Sequence, residues 1–257
     1  ISSFGRKTAA DVRLAVKALF KQTDDKLRGI VLDLRNNPGG LLDASIEVAD
    51  VFLDANKIGY QQKVVSTKGR LERSNIEGKA NEPDLTNGVP VVAMVNQGSA
   101  SAAEIVAGAL QDHHRAIILG VRSFGKGSVQ TVLPLSDNKT ALKLTTARYY
   151  TPSGRAIQAK GIEPDVVVEA LNIPAKAKPE QNFMVRESAL NGRLDAEQKA
   201  GDNKKQQFES DDLKLMQELL KKAAPAGGKK ADEPLFDDYQ LYRAVSLLKA
   251  LHASNIK

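Results

Sequence analysis

The spacing of apolar residues changes repeatedly along the first 170 residues. Three short apolar runs, GIVLDL, VPVVAMV and RAIILG, are typical of buried strands, and SVQTVLPL alternates as a further strand. Helical spacing begins at Thr8, where T-A-A-D approximates a capping box, and recurs from about Leu41 to Leu53 and from Ser101 to Gln111. Residues 57–75 are typical of polar-alternating strands joined near Lys68-Gly69. This order predicts an α/β domain whose helices cover a largely parallel sheet.

Beyond residue 170 the character of the chain changes. Residues 171–182 are rich in Pro, Lys and Ala and predict a connector, and helical patterns follow at 185–199 and 211–222. A last helix has an apolar stripe that would pack on the core or on another subunit. The stripe consists of Leu241, Ala244, Val245, Leu248 and Leu251. We therefore expect a core at 1–170 and a helical C-terminal extension at 171–257 that serves self-association.

Composition narrows the possible functions. Apolar residues make up 42% and charged residues 26% of the chain, as in ordinary globular proteins. No apolar run approaches the ~20 residues of a membrane span. The net charge of +6 lies in mixed-sign clusters and there is no Trp, so we expect no nucleic-acid partner. The absence of cysteine excludes disulfides, thiolate zinc sites and cysteine nucleophiles.

The stretch GVRSFGK, residues 120–126, matches seven of the eight positions of a phosphate-binding P-loop. A P-loop requires Ser or Thr after its lysine, and then a helix whose N-terminus holds the anion. Here Gly127 follows Lys126, and the next residues predict a strand. Without that helix the loop lacks most of its donors, so the pattern argues against nucleotide binding.

A second candidate lies where the strand VPVVAMV gives way to a helix. Ser101 stands three residues before Glu104, which fits the S-x-x-E capping box and a purely structural role. The same turn also suits a nucleophile, because the Ser101 hydroxyl would lie at the sheet edge with the Ala102 amide beside a developing oxyanion. The local sequence leaves both interpretations open.

A serine nucleophile needs a base. In an unbroken helix His113 would lie ~18 Å beyond Ser101, too far to reach it, and we expect His113 and His114 to be solvated charges at the helix end. A lysine can serve when desolvation in an apolar site favours its neutral form. Lys126 lies between two glycines, and Gln130 could orient it from the same side of an extended segment. A solvated loop lysine remains the alternative.

Four stretches occur in order: LDLRNNPGG, NQGSASAAEIVAGALQD, SFGKGSVQ and ARYYTPSGRAIQAKGIEPD. Together they resemble the C-terminal processing peptidases, also called tail-specific proteases, over residues 1–170. The resemblance implies a serine endopeptidase that acts through an acyl-enzyme. Ser101 would be its nucleophile, Lys126 its general base and Gln130 the residue that orients the lysine.

The resemblance further implies an oxyanion hole formed by the backbone amides of Gly40 and Ala102, with neither metal nor cofactor. Ser99 falls on the earlier serine of the motif, where we expect a structural role. The implied fold is a mixed α/β core like that of crotonases and the Clp protease subunit. Family members usually carry a PDZ domain before this core. The chain begins at Ile1 in a strand-like segment, so we expect a fragment that lacks that domain.

The resemblance also sets expectations about partners. Substrates would be proteins with non-polar C-termini, an activating or adaptor protein could take part, and the C-terminal helices would form a homo-oligomer. The location would be the bacterial cell envelope, most often the periplasm. Two other hypotheses remain open: a non-catalytic assembly or adaptor module that keeps the protease fold, and a nucleotide-binding or crotonase-like acyl-CoA enzyme. Binding measurements with ATP or acyl-CoA would separate the last from the first.

Overall fold

The structure, a computed structural model, describes residues 1–135, 140–170 and 238–254. Its helices are α1 (Thr8–Gln22), α2 (Leu42–Asp50), α3 (Ala102–Asp112) and α4 (Tyr239–Ser254). Its strands are β1 (Ile30–Asp33), β2 (Lys63–Gly69), β3 (Glu77–Lys79), β4 (Val91–Val95), β5 (Ala116–Gly120), β6 (Ser128–Pro134), β7 (Ala141–Tyr150) and β8 (Val166–Val167). Among the residues of these three ranges, no helix is both long and apolar enough to cross a bilayer.

A parallel sheet forms the centre of the domain, with the strand order β1-β4-β5-β8. Its middle strand β4 is buried along its whole length, as its uninterrupted apolar run predicts. Val91, Ala93 and Val95 belong to a core shared with α1, α2 and α3, whereas Val92 and Met94 belong to a second core with α4. The predicted α/β fold with covering helices is therefore confirmed.

The second sheet is antiparallel, with the order β3-β2-β7-β6, so the prediction of a largely parallel sheet is right for one sheet only. The predicted join near Lys68-Gly69 lies a few residues before the observed turn. Lys68 and Gly69 are still paired with β7, and the chain turns back only between Gly69 and Glu77. Residues 57–62 form a turn and a short 3-10 helix (Tyr60–Gln62) instead of a strand. The prediction of a strand after Gly127 is confirmed by β6.

Helix α4 packs against the parallel sheet of its own chain. Its buried apolar residues are Ala244, Leu247 and Leu248, with Leu241 and Leu251 partly buried beside them, and the polar Gln240 is buried as well. Leu247 thus takes the core position that the sequence pattern gave to Val245. The connector and the helical patterns predicted between residues 171 and 237 lie outside the described residues. The division into two parts and the self-association of the second part stay predictions.

The start of α1 differs from its predicted capping box. The N-cap position is Lys7, and the Thr8 hydroxyl accepts a hydrogen bond from the Gly5 amide at 2.9 Å. Thr8 therefore stabilises the turn that precedes the helix. This turn adjoins Phe4, whose backbone bridges to Gly40 and connects the beginning of the chain to the candidate site.

Candidate active site

Ser101 occupies a sharp turn between β4 and α3. Its φ of 53° and ψ of −114° lie in a region that residues with side chains rarely adopt. The Ser101 carbonyl accepts the first hydrogen bond of α3, from the Ile105 amide at 3.0 Å. The turn leaves Ser101 half-buried at the helix start, while Ala102 is fully buried. This strained strand-to-helix geometry is the one that exposes a nucleophilic hydroxyl at a sheet edge.

The carboxylate of Glu104 binds the backbone of this turn. Its Oε2 accepts a hydrogen bond from the Ser101 amide at 2.8 Å, which is the Glu half of the predicted capping box. The carboxylate does more than cap the helix, however. The same Oε2 also accepts a hydrogen bond from the Lys126 amide at 2.8 Å. One oxygen atom therefore joins the segments that carry the predicted nucleophile and the predicted base.

The other oxygen of Glu104 binds two further donors from the loop before Lys126. Oε1 accepts hydrogen bonds from the Ser123 hydroxyl at 2.5 Å and from the Gly125 amide at 2.7 Å. The Ser123 hydroxyl oxygen in turn accepts the Ile162 amide at 2.7 Å. The Ser123–Lys126 loop is thus held against α3, and Lys126 lies half-buried between two buried glycines.

The glycines beside Lys126 permit a close approach of the backbone around Gln158. The Gly127 amide donates to Gln158 Oε1 at 2.9 Å, and the Gly125 carbonyl accepts from the Ala159 amide at 2.8 Å. A methyl group on Gly127 would lie 2.2 Å from the backbone nitrogen of Gln158. These glycines are needed for packing, and a strand, not a helix, follows them, so the P-loop pattern has a structural explanation.

The glycine turn of the NNPGG stretch lies directly beside Ser101. A methyl group on Gly39 would come within 2.8 Å of Ser101 Cβ and 2.9 Å of the Ala102 nitrogen. Gly40 has a φ of 148°, and a methyl group there would lie 2.1 Å from the Phe4 carbonyl oxygen. In the described part of the chain neither the Gly40 nor the Ala102 amide donates to another protein group. These are the two amides that the family resemblance implies for an oxyanion hole.

Side-chain amides fix the two turns to each other. Asn96 accepts a hydrogen bond from the Asn36 amide at 2.9 Å and donates to Asn36 Oδ1 at 3.0 Å. The Asn37 carbonyl accepts the Ala100 amide at 2.9 Å. Ser99 is buried, and its hydroxyl donates to the Leu34 carbonyl at 2.8 Å, a contact that suits the structural role expected for it. The glycine turn and the Ser101 turn therefore form one connected unit.

Gln130 lies on β6, the edge strand that begins two residues after Lys126. Its side chain is exposed, and within the described residues no hydrogen bond joins it to Lys126. The structure thus brings the Ser101 and Lys126 segments together but leaves the orienting role of Gln130 a prediction.

The histidines lie away from this site. Helix α3 continues unbroken to Asp112, so His113 is separated from Ser101 by the length of the helix. The prediction of two solvated charges was wrong for His113. Its side chain is half-buried, its Nε2 lies 2.7 Å from the Lys63 carbonyl oxygen, and its ring packs edge-on to Tyr60. In the described ranges no three carboxylate or imidazole side chains are grouped to hold a metal ion.

Glu104 is the site residue whose importance the sequence pattern did not reveal. Its side chain is 0% exposed, and burial raises the pKa of its carboxyl group to about 7, although the Ser123 hydroxyl and three amides oppose this shift by stabilising the charged form. One signal was available. Glu104 is the only ionisable residue between Ser101 and Gln111, and it lies in a stretch that is otherwise apolar or small. An acid in a helix that is apolar on all faces is buried, and a buried acid needs donors.

Comparison with known sequences identifies the family. Residues 1–168 match the family described as peptidase family S41. The chain belongs to peptidase family S41. This match covers the whole of the candidate site, from the glycine turn through Ser101 to the loop around Lys126 and the contacts made by Gln158.

Two curated relatives and one solved structure show which members of the S41 family are similar. A carboxy-terminal-processing protease of Bartonella bacilliformis is 50% identical over 198 residues, which cover 77% of this chain and 44% of the relative. A carboxyl-terminal-processing protease of Synechocystis sp. is 42% identical over 169 residues, 66% of this chain and 37% of the relative. The solved photosystem II D1 C-terminal processing protease is 38% identical, with a TM-score of 0.57 over 66% of this chain and 41% of that one. The chain therefore spans less than half the length of each.

Proposed function

We propose that this protein is a serine endopeptidase that cleaves protein substrates near their C-terminal tails by a Ser-Lys mechanism. The observation that carries the proposal is the meeting of the Ser101 and Lys126 segments on one oxygen of Glu104, with the glycine turn packed beside Ser101. The family supports the reaction class, and the names of the two curated relatives support the choice of C-terminal tails.

Each residue has a defined step in the proposed reaction. Neutral Lys126 takes the proton of the Ser101 hydroxyl, and the oxygen attacks the peptide carbonyl. The amides of Gly40 and Ala102 donate hydrogen bonds to the oxyanion that forms. Lys126 then passes its proton to the departing amine, which leaves an acyl-enzyme on Ser101, and water releases the acyl group by the reverse use of the same base. Gln130 orients Lys126.

The wider setting belongs to the same proposal. We expect substrates with non-polar C-termini, self-association through the C-terminal helices, an activating or adaptor protein, and a place in the bacterial cell envelope. Lys126 lies at the end of the Ser123–Lys126 loop, which hydrogen bonds to Glu104 hold against α3. This position suits a general base, because a base must be held in place to act repeatedly on the same hydroxyl.

The test is a cleavage assay with an unstructured protein that ends in an apolar tail. Ser101→Ala and Lys126→Ala should each reduce cleavage by at least about a thousandfold, because removing a nucleophile or its base leaves only binding and oxyanion contributions. Lys143→Ala is the matched control, since Lys143 is an exposed lysine on the neighbouring strand β7. If both site variants cleaved as fast as the wild type, the assignment would be wrong. Mass spectrometry of a trapped acyl-enzyme would locate the ester on Ser101.

A further inference from the structure

In the part of the chain that the structure describes, the Glu104 carboxylate accepts four hydrogen bonds, and all come from segments that carry the proposed catalytic groups. The Ser101 amide comes from the nucleophile's turn, and the Ser123 hydroxyl and the Gly125 and Lys126 amides come from the base's loop. The two segments are 22 residues apart in sequence at the shared oxygen. A residue that served only as a helix cap would need the first of these bonds alone.

We propose that Glu104 is a positioning residue that sets the separation of Ser101 from Lys126. This inference rests on the proposed peptidase function. The Glu104 carboxylate acts through the backbone amides of the two residues that carry the proposed nucleophile and base. Because Oε2 accepts both amides at 2.8 Å, a shift of either segment lengthens one of these bonds.

The choice of a carboxylate follows from the number of donors. An ionised carboxylate has two acceptor oxygens with about four lone-pair sites, whereas an amide presents one acceptor oxygen and an NH2 group that would face other donors. Burial disfavours the charge of Glu104, which is 0% exposed. Retaining an acid where burial opposes its ionisation is typical of a site whose geometry serves catalysis.

Protonation of Glu104 would weaken this arrangement selectively. Of its four partners only the Ser123 hydroxyl can change from donor to acceptor, because the other three are backbone amides. The charged side chains on the contacting segments are Lys126 and Arg122, and Arg122 lies 3.9 Å from Glu163. Because the pKa of its carboxyl group is near 7, Glu104 would therefore bind the Ser123–Lys126 loop less tightly in mildly acidic solution.

The first experiment compares Glu104→Gln and Ser123→Ala with the wild type in steady-state kinetics across pH. Glu104→Gln should lower kcat by about ten- to a hundredfold with little change in KM, the factor that corresponds to one lost hydrogen bond to a charged group. Protonation of Lys126 lowers kcat in acid in both proteins, and wild-type kcat should fall additionally around pH 7, a component that Glu104→Gln should lack. Ser123→Ala removes a hydrogen-bond donor that stabilises the charged Glu104 carboxylate. The component of the kcat decline that depends on Glu104 should therefore move to higher pH in this variant.

The second experiment does not depend on proteolysis. In pH-dependent NMR spectra of the protein, the amide resonances of Ser101, Gly125 and Lys126 should shift with one shared midpoint near 7. The midpoint should rise in Ser123→Ala and vanish in Glu104→Gln. The Gly127 amide is the matched control within the same spectrum, because its acceptor is the neutral side chain of Gln158.

The outcomes separate the two proposals. If the three amides share a midpoint but the wild type cleaves no substrate, the peptidase function fails and the coupling by Glu104 stands. If the wild type cleaves while Glu104→Gln keeps kcat within about twofold and keeps the same pH profile as the wild type, the positioning role is wrong. Separate midpoints for Ser101 and Lys126 would also overturn it, since one carboxylate cannot then hold both.

Discussion

Asp238→Asn removes a charge that ties helix α4 to the strand leading into the glycine turn. Arg35 follows β1, and its guanidinium donates to both oxygens of Asp238, at 2.9 and 2.6 Å. The Asp238 carboxylate also accepts the Leu241 amide at 3.0 Å and so caps α4. Asparagine keeps an oxygen for the cap and loses the ion pair, whereas alanine loses both. The two variants therefore separate the contributions.

The magnitude follows from the partial exposure of the pair. The side chains of Arg35 and Asp238 are 17% and 35% exposed, between surface pairs worth about 0.2–1 kcal/mol and buried pairs whose breakage costs about 3–5 kcal/mol. Arg35 also binds Asp33 through two bonds and keeps that partner in the variants. We expect Asp238→Asn to lower the free energy of unfolding by about 1–2 kcal/mol. Asp238→Ala should lower it by about 1 kcal/mol more, the usual value of an N-cap.

Urea unfolding followed by far-ultraviolet circular dichroism at several pH values measures these differences. The Arg35 guanidinium lowers the pKa of Asp238 in the folded state, so the pair contributes fully above the unfolded pKa of about 3.9 and is lost as the pH falls through the lower folded pKa. The gap between wild type and Asp238→Asn should thus be constant near neutrality and close below about pH 4. A gap that persisted unchanged into strong acid, or none at pH 7, would refute the ion-pair explanation.

Two further predictions concern close packing. Gly29→Ala should destabilise the fold by about 1–3 kcal/mol, because its methyl group would lie 2.9 Å from Leu248 of α4, whereas Gly59→Ala, with nothing within 4 Å, should leave the urea midpoint nearly unchanged. Equal midpoints for the two would contradict the docking of α4. Gln158→Leu should reduce both kcat and stability, by about 1–3 kcal/mol for the latter, because it leaves the buried Gly127 amide without its acceptor. A Gln158→Leu protein with wild-type kinetics would show that this support is dispensable.

The sequence predicted helices and strands well where apolar residues follow a single spacing, either helical or strand-like. The apolar run of β4 and the helical spacing after Ser101 produced the observed strand and helix because local burial decides both. It did not predict the antiparallel sheet, since a polar-alternating segment fits several registers, and the ladder of β2 with β7 keeps Lys68 and Gly69 in the strand. The position of the turn between β2 and β3 therefore depends on pairing with β7 and not on the local sequence.

The candidate site, too, could be predicted from the sequence only in part. The resemblance pointed to Ser101 and Lys126, and the fold brings their backbones to one carboxylate. The function of Glu104 could not be read from its i, i+3 relation to Ser101, because its other donors come from 19 to 22 residues further along the chain. The pairing of Arg35 with Asp238 spans 203 residues and has no local signature at all. Contacts of this kind depend on the whole fold.

Three features that each lower the stability of the fold occur together around Ser101. Ser101 has a strained backbone, which costs of order 1–3 kcal/mol. Gly39 approaches it so closely that no side chain would fit, and Glu104 is an acid whose ionisation burial opposes. A sequence selected for stability alone would relax each of them, with an unstrained backbone at Ser101 and an apolar residue at position 104. Their coincidence is explained if the turn at Ser101, the Gly40 and Ala102 amides, which donate to no protein group among the described residues, and the fixed loop of Lys126 are needed together.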